Sequence, residues 1–129
     1  MNDDAFAHAA RLARAITAID ALNAEDPNIV LVNGISCPAE LVYGQRMSEE
    51  LASFAPDAPE PLVIAARAQH IERWVIPRTS YPESRTAYLA WRKDLQKHHA
   101  KRAGELMREA GYGEAAIGAL VAAGVVRIS

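Results

Sequence analysis

The chain has 129 residues, half of them hydrophobic and 23% charged, which is the balance of one ordinary globular domain. The first residues, Met-Asn-Asp-Asp, have neither the basic nor the apolar region of a secretory signal, and no apolar run is long enough to span a bilayer. The single cysteine, Cys37, excludes an intrachain disulfide and a cysteine zinc site. The sequence therefore predicts one cytoplasmic, non-membrane domain over residues 1–129.

The net charge of −2 conceals an uneven distribution of charge along the chain. Residues 1–66 carry three arginines and ten acidic residues, whereas residues 67–109 carry ten basic and five acidic residues. A basic half can bind phosphates or nucleic acid, but the acidic half can also neutralise it in the folded protein. We favour neutralisation, so nucleic acid is not an expected partner.

The first half of the chain predicts a helix and then a small hairpin. Apolar residues recur at helical spacing over residues 4–23, and Pro27 in the segment NAEDPN cannot continue that helix. The apolar run that follows leads into Asn33-Gly34, which suits a two-residue hairpin because both turn positions need positive φ. We therefore expect a hairpin over about residues 29–36 that packs on the helices as a flap.

Four more helices complete the predicted fold. Three of them cover about residues 38–54, 60–73 and 84–110, and a short one lies in the tail. The helix over 60–73 is apolar on nearly every side, which is typical of a central, buried helix. In the helix over 84–110, His99 and Arg92 fall on the apolar stripe. The pattern predicts an all-α, orthogonal bundle of about five helices with one small hairpin.

Two histidines are the candidate metal ligands, His70 at the end of an apolar helix and His99 within an apolar stripe. A buried imidazole needs partners for both nitrogens, and two such rings can share a metal with an acid completing the set. The alternative is that both are satisfied core histidines. Glu72 is the acid nearest to His70, but two residues on one helix point about 200° apart. Glu72 can join the site only if the helix ends at His70.

Four residues form the predicted substrate-binding set: Arg73, Arg78, Arg92 and Gln45. Arg73 and Arg92 are expected to point inward, where a guanidinium calls for a carboxylate or phosphate partner. Arg78 belongs to a loop that can act as a lid or as a plain surface loop, and Gln45 lies at one edge of the apolar face of the second predicted helix. The sequence contains no Gly-rich phosphate loop and no Gly-x-Ser-x-Gly motif.

Long and unusual motifs make the chain resemble the uncharacterised domain-of-unknown-function 4202 family of bacteria and fungi. The motifs are YGQRM, ARAQHIERWxIPRxSYP and YLxWRxxLxxHHAxxAGE, within about residues 15–115. The family pattern continues into another helix with an acidic pair, whereas this chain ends in IGALVAAGVVRIS. The resemblance implies either a natural short form or a C-terminal truncation. A groove left open by the missing helix would favour a homodimer.

The helix order also resembles, more distantly, the HD superfamily of metal-dependent phosphohydrolases. By that resemblance His70 matches the histidine of the His-Asp pair, Ile71 replaces the aspartate, His99 matches an intervening histidine, and Gln45 falls near the first histidine. It implies a degenerate phosphohydrolase acting on a nucleotide-like phosphate, with a divalent metal on His70 and His99 and arginines holding the phosphate. The alternative is a non-catalytic domain that binds a phosphorylated small molecule or a protein partner, so enzymatic activity stays open.

Overall fold

The computed structural model describes residues 2–125 of the chain. These residues form a helical bundle with one two-stranded antiparallel hairpin, which confirms the predicted all-α class and the predicted hairpin. Within them, no helix combines the length and the apolarity that a bilayer crossing requires. In chain order the elements are α1 (Asn2–Asn23), β1 (Ile29–Val32), β2 (Ile35–Pro38), α2 (Ala39–Phe54), α3 (Glu60–Arg67), single-turn 3-10 helices at Arg73–Val75 and Arg78–Ser80, α4 (Arg85–Ala110) and α5 (Glu114–Val125).

The hairpin turns at Asn33 and Gly34, whose φ angles of 51° and 80° are those of a type I′ turn. The strands pair in register from Ile29 opposite Pro38 to Val32 opposite Ile35. The sequence predicted the turn correctly, and the strands extend two residues beyond the predicted end. The hairpin stands largely in solvent, since most of its aliphatic side chains are exposed.

A buried aspartate ahead of the hairpin fixes the start of α2. The side chain of Asp26 accepts hydrogen bonds from the Asn28 N–H (2.9 Å) and from the Glu40 N–H (2.8 Å). The residue at the helix boundary, Pro38, provides no side-chain cap. Asp26 lies 14 residues before Glu40 and accepts an N–H of the first turn of α2 that has no partner within the helix. This bond holds Glu40 in place.

The third helix is shorter than the sequence predicted, because it ends at Arg67 rather than at residue 73. Ala68 to Glu72 form turns, and Glu72 adopts a left-handed conformation with φ of 55°. Its N–H donates to the side chain of Asn23, which is almost completely buried at the end of α1. The apolar pattern continues past the helix end because Ile71 is fully buried in the turn.

The long helix α4 has a signal at each end. Ser84 caps it by accepting the Ala87 N–H at 3.0 Å. Gly111 ends it at φ of 111°, and the N–H groups of Gly111 and Tyr112 both return to the carbonyl of Met107. The predicted span of 84–110 is therefore confirmed to within one residue.

The core lies where α3 packs against α1, α2 and α5, with α4 crossing behind α1 and α5. The central position predicted for the third helix is therefore correct, although the helix is short. The residues of the core are small or non-aromatic apolar residues apart from one tyrosine, so the helix backbones approach one another closely. The buried residues of the main cluster are Ala15, Ile19, Ile64, Ala68, Ile71, Ala103, Leu106, Met107, Ala110, Tyr112, Ile117 and Leu120.

Candidate functional site

The turn that follows α3 carries His70, Glu72 and Arg73, and its shape decides which way each side chain points. The Ile71 N–H bonds to the Ala68 carbonyl and the Arg73 N–H to the His70 carbonyl, both at 3.0 Å. These bonds hold the turn tightly, and Ile71 anchors it in the core. His70 and Arg73 are left half-buried at the surface of the bundle.

Two residues from the first turns of α2 hold His70. The Nδ1 atom of His70 lies 3.1 Å from Oε1 of Glu40, and a carboxylate only accepts, so Nδ1 carries the hydrogen. The ring also stacks on Tyr43 with centroids 3.7 Å apart and planes within 3°. Both contacts fix the ring orientation and leave Nε2 without a partner among the described residues.

His99 is held from one side in the same way. Its Nδ1 donates to the carbonyl of Ile71 at 2.8 Å, which fixes the tautomer and leaves Nε2 as a free acceptor. The pKa of His99 is lowered to about 4, chiefly by burial; the bond to the Ile71 carbonyl opposes this shift, and the nearby charges of His70, His98 and Arg73 contribute to it. His99 is therefore neutral at physiological pH, which is the form that binds a metal or accepts a proton.

The structure brings the two predicted metal ligands together. The ring centroids of His70 and His99 lie 6.2 Å apart with planes inclined by 30°. Two histidines on one ion have ring centres about 5 Å apart when each metal–nitrogen bond is about 2.1 Å. Within the described residues, however, no three His, Cys, Asp or Glu side chains converge as a ligand set.

Glu72 does not join His70. Its Oε1 accepts from Nε2 of His98 at 3.0 Å and from Nε of Arg102 at 2.8 Å. Arg102 also pairs with Glu105, so the carboxylate belongs to an ion-pair network on the other side of the turn. The sequence predicted that Glu72 could join His70 only if the helix ended there, and α3 does end before His70. The left-handed backbone at Glu72 nevertheless directs its side chain to His98.

The three predicted phosphate-binding arginines lie around one aromatic pair, Tyr88 and Trp91, whose ring centroids are 5.9 Å apart. The guanidinium of Arg73 lies 5.4 Å from the Trp91 ring, and those of Arg78 and Arg92 lie 5.8 Å and 5.9 Å from the Tyr88 ring. We call Arg73, Arg78 and Arg92 the arginine cluster. Arg73 links it to the histidines, because its positive charge acts on His99 and on Tyr43.

Within the described part of the chain, no member of the arginine cluster forms an ion pair. Arg78 uses one nitrogen, Nη1, to bond the carbonyls of Tyr81 and Pro82 at 3.1 and 2.9 Å. Its side chain also lines a shallow surface cavity of about 290 Å3 together with Thr79, Tyr81 and Glu83. Four of the seven other arginines within residues 2–125 have carboxylate partners: Arg11 with Glu60, Arg67 with Asp20, Arg102 with Glu72 and Glu105, and Arg108 with Glu114.

The loop that carries Arg78 is fastened to α4. The Tyr81 hydroxyl donates to Asp94 at 2.5 Å, and the Trp91 indole N–H donates to the Ile76 carbonyl at 2.7 Å. The bond to Asp94 raises the pKa of Tyr81, which therefore stays protonated as the donor. These contacts place Arg78 at a fixed position beside the Tyr88 ring.

Gln45 is exposed on α2 and stands apart from the other predicted site residues. Around a helix it lies about 140° from Glu40, the residue that contacts His70. The structure thus does not bring Gln45 to the histidines. Sequence reasoning missed Glu40 and Tyr43, and the only signal available was their position in the first turns of a helix beside the predicted flap.

The chain belongs to a family of proteins that share the domain of unknown function DUF4202, whose family model matches residues 13–126. The predicted membership is thereby confirmed, whereas the more distant resemblance to the HD superfamily stays a prediction. A search of curated proteins and a search of solved structures returned no significant match. The matched region contains His70, His99 and the whole arginine cluster.

Proposed function

We propose that this DUF4202 domain binds the phosphate of a nucleotide-like small molecule through the arginine cluster, with His70 and His99 facing the bound group. The supporting observation is that three half-buried guanidinium groups meet at one aromatic pair with no carboxylate partner among the described residues. A guanidinium without a carboxylate partner can bind a phosphate through charge-assisted hydrogen bonds, often two at once.

The aromatic pair supports a phosphate ligand in two further ways. A guanidinium that lies over a ring keeps its N–H edge free, and that edge can bind two phosphate oxygens at once. Tyr88 is 39% exposed, so one part of its ring is open to a second planar group such as a nucleobase. A cytoplasmic location, predicted from the sequence, suits such a ligand.

The test is calorimetric titration with inorganic phosphate, pyrophosphate and AMP. Arg73→Gln is expected to weaken binding about tenfold or more, because a charge-assisted hydrogen bond is lost. Lys93→Gln is the matched control, since it removes the same charge from an exposed position on α4. Equal weakening by both variants, or no saturable binding of any of the three anions by the wild-type chain, refutes the proposal.

A second candidate function is a metal-dependent phosphohydrolase at the same site. It is favoured by the way Glu40 and the Ile71 carbonyl hold Nδ1 of His70 and His99, because metal-binding histidines commonly use such partners and coordinate through the other nitrogen. His70 and His99 would hold the ion, with solvent or the ligand phosphate in the remaining positions. When bound, the metal would supply an activated water.

Metal content separates the two candidates. The chain is loaded with manganese, iron, nickel or zinc, desalted, and measured by elemental mass spectrometry. The hydrolase predicts one ion per chain in the wild type and in His8→Ala, an exposed histidine on α1, but none in His99→Ala. No retained metal in the wild type rejects the hydrolase and leaves the phosphate-binding proposal intact.

A further inference from the structure

One edge of the hairpin has backbone groups that nothing covers. The turn at Asn33-Gly34 makes Val32 and Ile35 a hydrogen-bonded pair, and pairs alternate along an antiparallel ladder. Val30 opposite Cys37 is therefore the next bonded pair, which agrees with the bond from the Ala39 N–H to the Asn28 carbonyl at 2.9 Å.

It follows that the N–H and C=O groups of Ile29 and Leu31 point away from β2. Within residues 2–125 they have no other backbone or side-chain partner. The outer edge of β2 is different, because Pro38 has no N–H to offer there. β1 is thus the strand that can accept another strand.

The features that usually protect a sheet edge are missing from β1. Its sequence, IVLV, has no charged residue, no proline and no bulge. Residues 28–39 carry no charge at all, and the Ile29 and Leu31 side chains are 63% and 69% exposed. An edge of this kind is expected to pair with a further strand.

The register identifies the partner. An antiparallel copy of β1 centred on Val30 places Ile29 of one chain opposite Leu31 of the other, and Leu31 opposite Ile29. Both outward residues then exchange their N–H and C=O groups with the second copy, and no backbone group on this edge is left over. The same operation joins the exposed Ile29 and Leu31 side chains of both chains into one apolar cluster.

We propose that β1 is a self-association edge, through which two copies of this chain form a four-stranded sheet about a two-fold axis at Val30. A second copy fits better than a charged partner strand. Residues 28–39 carry no charge with which a charged strand could pair, and for the same reason two copies do not repel each other. The contact is much smaller than a standard protein interface, so the dimer is weak and depends on concentration. This inference is independent of the proposed phosphate site.

Disulfide trapping tests the register. In the proposed dimer the two Val30 residues form a non-bonded pair with Cα atoms about 4.5 Å apart, which a disulfide can span. Cys37 faces Val30 within its own hairpin and is first replaced by serine. Under mild oxidation Val30→Cys in the Cys37→Ser background is expected to form a covalent dimer at least about five times faster than Leu31→Cys. Equal rates overturn the proposed register.

Sedimentation equilibrium over a range of protein concentrations tests the association itself. Leu31→Lys is expected to weaken self-association about tenfold or more, because it places like charges on the edge of both copies. Ile35→Lys is the matched control: it is 66% exposed on the same hairpin but lies on β2, and it is expected to change the dissociation constant less than about twofold. A wild-type chain that stays monomeric at millimolar concentration, or an equal effect of both variants, rejects the proposal.

Discussion

The His70 imidazole lies flat against the Tyr43 ring, with centroids 3.7 Å apart and planes within 3°. The two residues come from different elements, the turn after α3 and the second turn of α2. Burial, followed by the charge of Glu40, raises the pKa of the Tyr43 hydroxyl, so this side chain is neutral at physiological pH. The stack and the Glu40 hydrogen bond together hold His70 in one orientation beside His99.

Replacing Tyr43 with leucine tests this stack. The carbon-bound ring protons of His70 are expected to lose the upfield ring-current shift that the tyrosine face causes, and those of His98 to remain unchanged. Proton–carbon NMR spectra of the wild type and of Tyr43→Leu provide the measurement. Tyr81→Phe serves as the control, because Tyr81 contacts Asp94 and not a histidine. An unchanged His70 spectrum in Tyr43→Leu would contradict the stacked geometry.

Local sequence signals predicted most of the fold. The helices follow apolar periodicity, and the hairpin follows from Asn33-Gly34, because both depend on neighbours in the chain. The third helix was predicted six residues too long, since Ala68 and Ile71 continue the apolar pattern. The turn after its real end is held by the bond between the Glu72 N–H and the Asn23 side chain, 49 residues apart, which periodicity cannot reveal.

Local sequence signals also predicted one part of the site and missed another. His70, His99, Arg73 and Arg92 stood out because polar side chains on apolar faces need partners. The partner of His70 is Glu40, 30 residues away, and nothing local to either residue connects them. Helix geometry predicts which face a residue occupies, whereas the pairing of faces depends on how the helices pack.

The low pKa of His99 makes stability depend on pH. The histidine titrates near 6.5 in the unfolded chain and near 4 in the folded protein, so the unfolded state binds more protons between these values. The contribution of neutral His99 to the free energy of unfolding is therefore fully present above about pH 6.5. It is lost as the pH drops toward 4. From pH 7 to pH 5 this histidine accounts for a loss of about 2 kcal/mol in the free energy of unfolding.

Urea unfolding at pH 7 and at pH 5 measures that loss. His99→Gln is expected to lose less stability than the wild type over this interval, because glutamine does not titrate and can still donate to the Ile71 carbonyl. His8→Gln is the control, since His8 is exposed on α1. If His99→Gln and the wild type show the same pH dependence, His99 is not the buried neutral histidine described here.

Asp26 connects the hairpin to the site, because it holds the first turn of α2 that carries Glu40. Asp26→Ala leaves the Asn28 and Glu40 N–H groups without their acceptor and is expected to cost about 2 kcal/mol of unfolding free energy. Calorimetric unfolding measures the cost, and Glu25→Ala, an exposed neighbour, is the control. A cost equal to that of Glu25→Ala would show that the cap contributes nothing.

Gly44 sets the distance between α2 and α3. A Cβ atom at this position would lie 2.7 Å from the backbone carbonyl oxygen of Arg67, which cannot move without shifting the helix. Gly44→Ala is therefore expected to destabilise the protein by about 1–3 kcal/mol, even though alanine favours helix by about 1 kcal/mol over glycine. Gly118 in α5 is the matched control, because a Cβ there meets nothing within 4 Å. Gly118→Ala is expected to raise stability slightly, so urea unfolding should show opposite signs for the two substitutions. Equal signs would mean that the contact between α2 and α3 yields, and that the helix spacing which places Glu40 against His70 is not fixed by Gly44.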